Sequence, residues 1–388
     1  MERIVVYNTS WSTLGGGEKY ACALAQALST RSQTAVSLLM DSPGLGREQL
    51  EQYFHIDLST VDVAPARRQE VRTRLAAADI GVVISNFRSF GLRAHRTVYV
   101  LQIPYTRITP LSVAHKLVRG HARDALKDLM RRRLLAAARH ADLAIVYSDF
   151  VREVLARNHG IHAHILHPPI DDFGPQEPKR RVILSVGRIF TGPYNDKRYP
   201  TLIASFKRLY DSLADKSWEY RIVGSAGNDK ASRFYLASLQ QAAAGYPITF
   251  CVNSSYEALR SEYRRASVFW HATGHGIDER RHPERMEHFG MSTVEAMSAG
   301  CIPVVINAGG QKEIVSHGIS GYLWSTEDQL IAFTRSIIDH PSGVPTIRLA
   351  ARERYNDFSR ARFLHRTLAL MNSIGNDSDG AHKNSSTR

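Results

Sequence analysis

Short apolar runs alternate with longer amphipathic stretches over most of the chain. In the first half, the runs at 4–8, 35–39, 80–85, 97–102 and 143–147 read as strands, and stretches such as 69–77 read as helices between them. The second half repeats the alternation. Strand-like runs fall at 182–186, 220–223, 248–252, 267–270 and 301–306, and helical patterns at 328–338 and 347–371. Regular strand–helix alternation predicts an α/β chain with doubly wound parallel sheets. Between the halves, residues 172–180 (DFGPQEPKR) are polar and contain proline, and they read as a linker. The predicted organisation is a first domain over 1–171, the linker, a second domain over 181–345 and closing helices over 346–372. The tail at 373–388, rich in Ser, Asn and Gly, is predicted to be disordered.

One stretch combines a loop, a helix and a buried strand. Residues 287–300 read EHFGMSTVEAMSAG and run directly into the apolar 301–306. Gly290 falls where a helix begins, and Gly300 where a left-handed C-cap ends it. The amides of residues 290–292, Met291 and Ser292 among them, then carry the partial positive charge of a helix N-terminus, a site for phosphate. Glu287 precedes that helix and Glu295 lies about a turn inside it. The two carboxylates can flank a bound anion and accept hydrogen bonds from hydroxyl groups on either side. Hydroxyls, a diphosphate and then ribose hydroxyls are the layout of a sugar joined to a nucleoside diphosphate. A glycine-rich turn at 13–19, with Gly16 and Gly17, stands between the first strand and a helix over 18–28. It lacks both the Walker A spacing and a full G-x-G-x-x-G, so alone it reads first as a plain strand–helix turn.

Composition adds one oddity. The 388 residues suffice for two cores, but the formal charge of +13 and a pI near 9.7 call for an anionic partner. Much of that charge lies in 107–139, where Arg107, Lys116, Arg119, Arg123, Lys127, Arg131, Arg132, Arg133 and Arg139 face only Asp124 and Asp128. Arg119, Arg123, Lys127 and Arg131 recur every four residues, a ridge on one helix, beside an apolar stripe of Val118, Ala122, Leu126, Leu129 and Met130. The pattern over 116–133 suits a helix lying on anionic lipid and also a solvated basic face over a packed one. No aromatics are interleaved, so nucleic acid is not expected. The scattered Cys22, Cys251 and Cys301 fit a reduced cytoplasmic setting, and no apolar run approaches a membrane span. His271, His275, His282 and His288 match no zinc spacing and read as loop surface, so no metal is predicted.

The pair Glu287/Glu295 with its internal FG, followed by AGCIPVVINAGGQKEIVSHGISGYLW through Trp324, resembles the retaining glycosyltransferases of family 4, which have the GT-B fold. The EHFG wording is similar to that of eukaryotic mannosyltransferases that extend lipid-linked oligosaccharides. The resemblance implies two Rossmann-like domains facing across a cleft, with a closing helix crossing back to the first. It implies a UDP- or GDP-linked sugar donor held mainly by the second domain, a glycan or lipid-linked acceptor on the first, and no cofactor. It also implies transfer with retention of configuration, by a protein in the cytoplasm or peripheral at the inner face of a membrane. On the same basis Glu287, Arg188 and Lys197 are catalytic, the two cations contacting the donor diphosphate. His288, Phe289, Gly290, Met291, Ser292 and Glu295 bind donor, Gly224 lies where the base sits, and Gly16 and Gly17 belong to the loop after the first strand. Gln102 stands where many members have a histidine on the acceptor side. An epimerase of the same fold, or a non-catalytic nucleotide or nucleic-acid binding protein, are the alternatives.

Overall fold

The computed structural model describes the chain except residues 10, 12–13, 42–43, 86–90, 176–177, 191, 193–195 and 382–388 and the side chains of 85 and 375–381. Two compact units result, Met1–Pro169 with Arg360–Arg388, and Ile170–Ser359.

In the first unit, β1 (Glu2–Asn8), β2 (Thr34–Met40), β3 (Val61–Pro65), β4 (Ile80–Ser85), β5 (Arg96–Leu101), β6 (Leu143–Val146) and β7 (His164–Ile165) form one sheet. Its order is β3-β2-β1-β4-β5-β6-β7, and every pairing is parallel. In the second unit, β8 (Val182–Val186), β9 (Glu219–Gly224), β10 (Ile248–Val252), β11 (Val268–His271), β12 (Ile302–Ile306) and β13 (Tyr322–Trp324) pair in parallel in the order β10-β9-β8-β11-β12-β13. Parallel strands are covered by helices on both faces, which is why their sequences are apolar runs rather than alternating patterns. Each sheet is doubly wound. Strand order reverses between β1 and β4 and between β8 and β11, and such switch points open a crevice at the carboxyl ends of the strands.

The second unit's core is aromatic, with Tyr199, Phe206, Tyr220, Trp270 and Trp324 all fully buried. A chain of hydrogen bonds runs through part of it: Tyr220 Oη lies 2.9 Å from Ser185 Oγ, and Ser185 Oγ donates to the Trp270 carbonyl at 2.8 Å. Trp270 Nε1 donates to Thr334 Oγ1 at 2.9 Å. These bonds tie β8, β9 and β11 together.

Four expectations change. The helix expected at 347–371 is two helices, Val344–Tyr355 and Arg360–Ala381, separated by a 3-10 turn at Asn356–Phe358. The chain passes from the second unit to the first at this break. The last helix packs on the helix Gly16–Ser29, with Phe363 edge-on to Tyr20 at 5.3 Å. Its backbone stays helical to Ala381, past the point where disorder was expected, while 382–388 lie outside the described residues. Thirdly, the segment expected as a linker is packed over its described part. Phe173 is buried against Tyr256 and Tyr263, and Lys179 Nζ donates to the carbonyls of Tyr263, Arg264 and Ala299. A cation there offsets the negative ends of two helices, Tyr256–Arg265 and Met291–Ser298. Finally, the basic ridge is not one helix. Helix Pro110–Val118 ends at Arg119, Gly120 turns at φ +77°, and a second helix runs Ala122–Arg139. Thr109 caps the first of these, accepting from Ser112 N at 3.1 Å, and Pro110 presets its first turn.

Candidate active site

The second unit's switch point gathers its chemistry on the strand ends. β8 and β11 are hydrogen-bonded neighbours, so Gly187 and Arg188 leave the sheet beside His271. A Cβ on Gly187 would lie 2.7 Å from Lys197 Cε, so the lysine stem passes directly over that glycine. At the end of β9, a Cβ on Gly224 would lie 1.8 Å from the Gly187 carbonyl oxygen. The same oxygen accepts from Tyr199 Oη at 2.8 Å. The two glycines let the strand ends close up and leave a path for Lys197 into the crevice.

There Lys197 Nζ donates to Glu287 Oε2 at 2.7 Å, and His271 Nε2 meets the same oxygen at 3.0 Å. All three side chains are largely buried: Lys197 is 16 % exposed, Glu287 15 % and His271 2 %. A carboxylate only accepts, so His271 Nε2 carries the proton. Its Nδ1 is buried with no partner among the described residues, as a neutral ring permits. Burial pushes the His271 pKa down, against the pull of Glu287 upward. Burial alone would raise the Glu287 pKa, but the Lys197 ammonium and the His271 hydrogen bond hold it well below the usual carboxylate range. Glu287 Oε1 has no partner among the described residues and is left to bind something else.

The backbone around Glu287 is fixed from below. Gly310 N donates to the Glu287 carbonyl at 2.8 Å, and a Cβ on Gly309, which has φ +58°, would come within 2.3 Å of that oxygen. Three residues later Gly290, at φ +119°, opens the helix Met291–Ser298. The amides of Met291 and Ser292 stand in its first turn, where no carbonyl within the helix can receive them. One turn on, Glu295 accepts from the buried Tyr263 Oη at 2.8 Å.

Sequence reasoning placed most of this group but missed His271. Read as loop surface, it is the last residue of β11 and nearly fully buried; its place at the end of an apolar run was the available signal. Phe289, expected to contact substrate, is buried with its ring against Phe358 at 5.4 Å, so its side chain belongs to the core. His288 bonds the Glu284 carbonyl at 3.2 Å. Arg188 is exposed, with its guanidinium 5.1 Å from the Phe190 ring centre and no ion pair among the described residues. Of the loop between Arg188 and Lys197, residues 191 and 193–195 lie outside the described residues. In the first unit, Gly16 and Gly17 begin the helix Gly16–Ser29 itself, two residues earlier than expected. Gln102 follows β5, donates from Nε2 to Tyr147 Oη at 2.7 Å and lies over Gly17. Among the described residues, no group of three His, Cys, Asp or Glu is placed to hold a metal ion, and no helix is long and apolar enough to cross a membrane.

The neutral His271 gives a pH signature. Because its folded pKa is lowered, the unfolded chain takes up a proton first as pH falls below about 6.5. Stability supplied by this residue is therefore present above that pH and is lost as pH falls further. His271→Asn should melt below wild type at pH 8, and the gap should narrow at pH 5, as read by differential scanning calorimetry. A gap that widens at pH 5 would show that the ring is held protonated.

The pairing of two doubly wound units is the GT-B architecture, and solved structures match it over nearly the whole chain. Anabaena HepE, solved with UDP and glucose, superposes with a TM-score of 0.68 at 16 % identity, covering 96 % of this chain and 100 % of that one. Sucrose-phosphate synthase from Thermosynechococcus elongatus gives 0.67 at 15 %, covering 96 % and 99 %. At such identities the likeness is one of fold. Residues 169–343, which contain the whole Glu287 group, match the family model described as glycosyl transferases group 1. Among curated proteins, the GDP-Man:Man(3)GlcNAc(2)-PP-Dol alpha-1,2-mannosyltransferase of Dictyostelium discoideum is 26 % identical over 244 residues, 59 % of this chain and 46 % of that one. Human alpha-1,3/1,6-mannosyltransferase ALG2 is 24 % identical over 246 residues, 56 % and 55 % of the two chains. The matches thus span about half the length of these relatives, or less.

Proposed function

We propose that the chain transfers a sugar from a nucleoside-diphosphate sugar to an acceptor hydroxyl with retention of anomeric configuration. The observation that carries this reading is Glu287, held ionised by Lys197 and His271 at the switch point, beside the free amides that open the helix at Met291. In this reading the donor diphosphate lies on those amides, with Arg188 and Lys197 offsetting its charge in place of a metal ion. Glu287 Oε1 takes a sugar hydroxyl, and Glu295 takes the ribose hydroxyls. The group 1 match over 169–343 and the relatives named for GDP-mannose and dolichol diphosphate support a hexose, such as mannose, and a lipid-linked glycan acceptor.

In this reading retention comes from a same-face displacement at the anomeric carbon. The acceptor oxygen bonds to that carbon on the face from which the diphosphate leaves, the carbon–oxygen bond to the β-phosphate breaks, and the acceptor's proton passes to the departing phosphate oxygen. That route needs cations on the diphosphate and a carboxylate on the sugar, which the Glu287 group can supply. The test has two parts. A thermal-shift panel of nucleoside diphosphates and their sugars should single out one donor by raising the midpoint. Proton NMR of the fresh product should show the donor's anomeric configuration, and an inverted coupling constant overturns the mechanism.

A further inference from the structure

The hairpin of Pro110–Val118 and Ala122–Arg139 carries apolar residues on its outer surface. The two helices pack on each other, yet the first buries none of its own side chains. Val118 is 88 % exposed, Leu111 79 %, and Leu117, Leu126 and Leu129 are exposed with them. These five make up half of the ten exposed large hydrophobic residues in the described chain, gathered in one thirty-residue element. Of the apolar stripe read from the sequence, Val118, Ala122, Leu126 and Leu129 are open to solvent.

Charge is sorted on the same element. Between 110 and 139 there are eight Lys and Arg against two Asp, a net of +6. The nearly buried Asp128 is taken up inside the hairpin, bonded by Lys116 and, at 2.9 Å, by Arg131, while Lys127 pairs with Asp124. Arg119 and Arg123 beside the turn, and Arg132, have no ion pair among the described residues. An apolar tip at Leu117–Val118 next to unpaired arginines presents the two chemistries of a bilayer's interfacial layer: acyl chains below, phosphates above. The hairpin contains no Phe, Tyr or Trp, so bases would have nothing to stack on. A second copy would oppose like charges.

We propose that this hairpin docks the protein on an anionic bilayer, with Leu117 and Val118 entering the acyl boundary and Arg119 and Arg123 meeting lipid phosphates. The inference stands apart from the transfer reading, because it uses none of the residues placed at the Glu287 site. The test is flotation of the full chain with vesicles of phosphatidylcholine alone and of phosphatidylcholine with phosphatidylglycerol. Wild type should float with the anionic vesicles and lose that affinity at high salt. Arg119→Gln with Arg123→Gln should weaken partitioning roughly twenty- to thirty-fold, at about fivefold per charge. Leu117→Ser with Val118→Ser should weaken it at least roughly tenfold. Melting curves establish that each variant is folded, and the thermal shift with nucleoside diphosphates should match wild type in both. Wild type that ignores anionic vesicles overturns the proposal. So does full binding by the serine variant, which would mean adsorption by charge alone. Equal competition by a soluble acidic peptide would make the partner a protein and overturn it as well.

Discussion

Lys197→Ala should lower turnover by about 10²–10³ while weakening nucleoside diphosphate binding by less than about tenfold. The asymmetry follows from where the ammonium stands. It is one of two groups on Glu287 Oε2, and its stem is threaded over Gly187 at the mouth of the crevice. A donor in its ground state keeps its diphosphate charge spread and partly solvated, so one cation is replaceable there. In the transition state the β-phosphate oxygen gains charge as the bond to the sugar breaks, and a fixed cation is then worth most. The variant also leaves Glu287 with only His271, so its carboxyl should rise toward the ordinary range and grip the sugar hydroxyl less well. Glu287→Gln in the Lys197→Ala background should therefore cost less than Glu287→Gln alone, since the two act as a unit. Steady-state kinetics with the donor singled out by thermal shift, and calorimetry with its diphosphate, decide the matter. Turnover within about threefold of wild type would remove Lys197 from the chemistry.

The sequence revealed elements wherever burial on both faces made a continuous apolar run. β1, β4, β8, β11 and β12 are of this kind, and their positions agree with the pattern to within two residues. The helix at Met291 was legible for a different reason: Gly290 at φ +119° is a conformation that glycine alone adopts readily, and it falls where the pattern needs a start. β3 was not legible. Its sequence, VDVAP, is short, half exposed and ends in proline, as an edge strand allows. The break at 356–359 was missed because NDFS contains neither Gly nor Pro. Tertiary contacts hold it, with Arg354 bonding Asp357 and the carbonyls of Glu313 and Ile314.

The site divides along the same lines. The pair Glu287 and Lys197, which the structure brings together, could be named from residue type and resemblance, since local wording carries them. His271 could not, because its role depends on β11 lying next to β8, and strand order is not written in any local stretch. Phe289 failed in the opposite sense. It sits inside the most informative stretch, yet its backbone turns the ring into the core. Position within a motif fixes the path of the chain and leaves open which side chains point out of it.

Gly224→Ala should cost the second unit about 3 kcal/mol, lowering its melting midpoint by about 6–12 °C. The reason is steric, and the obstacle is main chain. The added methyl would stand 1.8 Å from the Gly187 carbonyl oxygen and 2.8 Å from its carbon, with Ile189 Cγ1 behind at 3.5 Å. A flexible side chain could swing aside, but this carbonyl cannot. It is held by Tyr199 Oη, and its own residue is bonded through N to the Val223 carbonyl at 3.0 Å. β8 and β9 would have to part beside the switch point, shifting Gly187 from beneath Lys197. Gly343→Ala is the control, because nothing lies within 4 Å of the position its Cβ would take, and its midpoint should stay within about 1 °C of wild type. The same pair of variants separates two explanations for a glycine at 224. If it is there only so that a nucleotide base can lie on it, Gly224→Ala will melt like wild type and lose nucleoside diphosphate binding alone. If the strand ends require it, stability falls without any ligand present, and calorimetry of the unliganded protein is where the difference should be read.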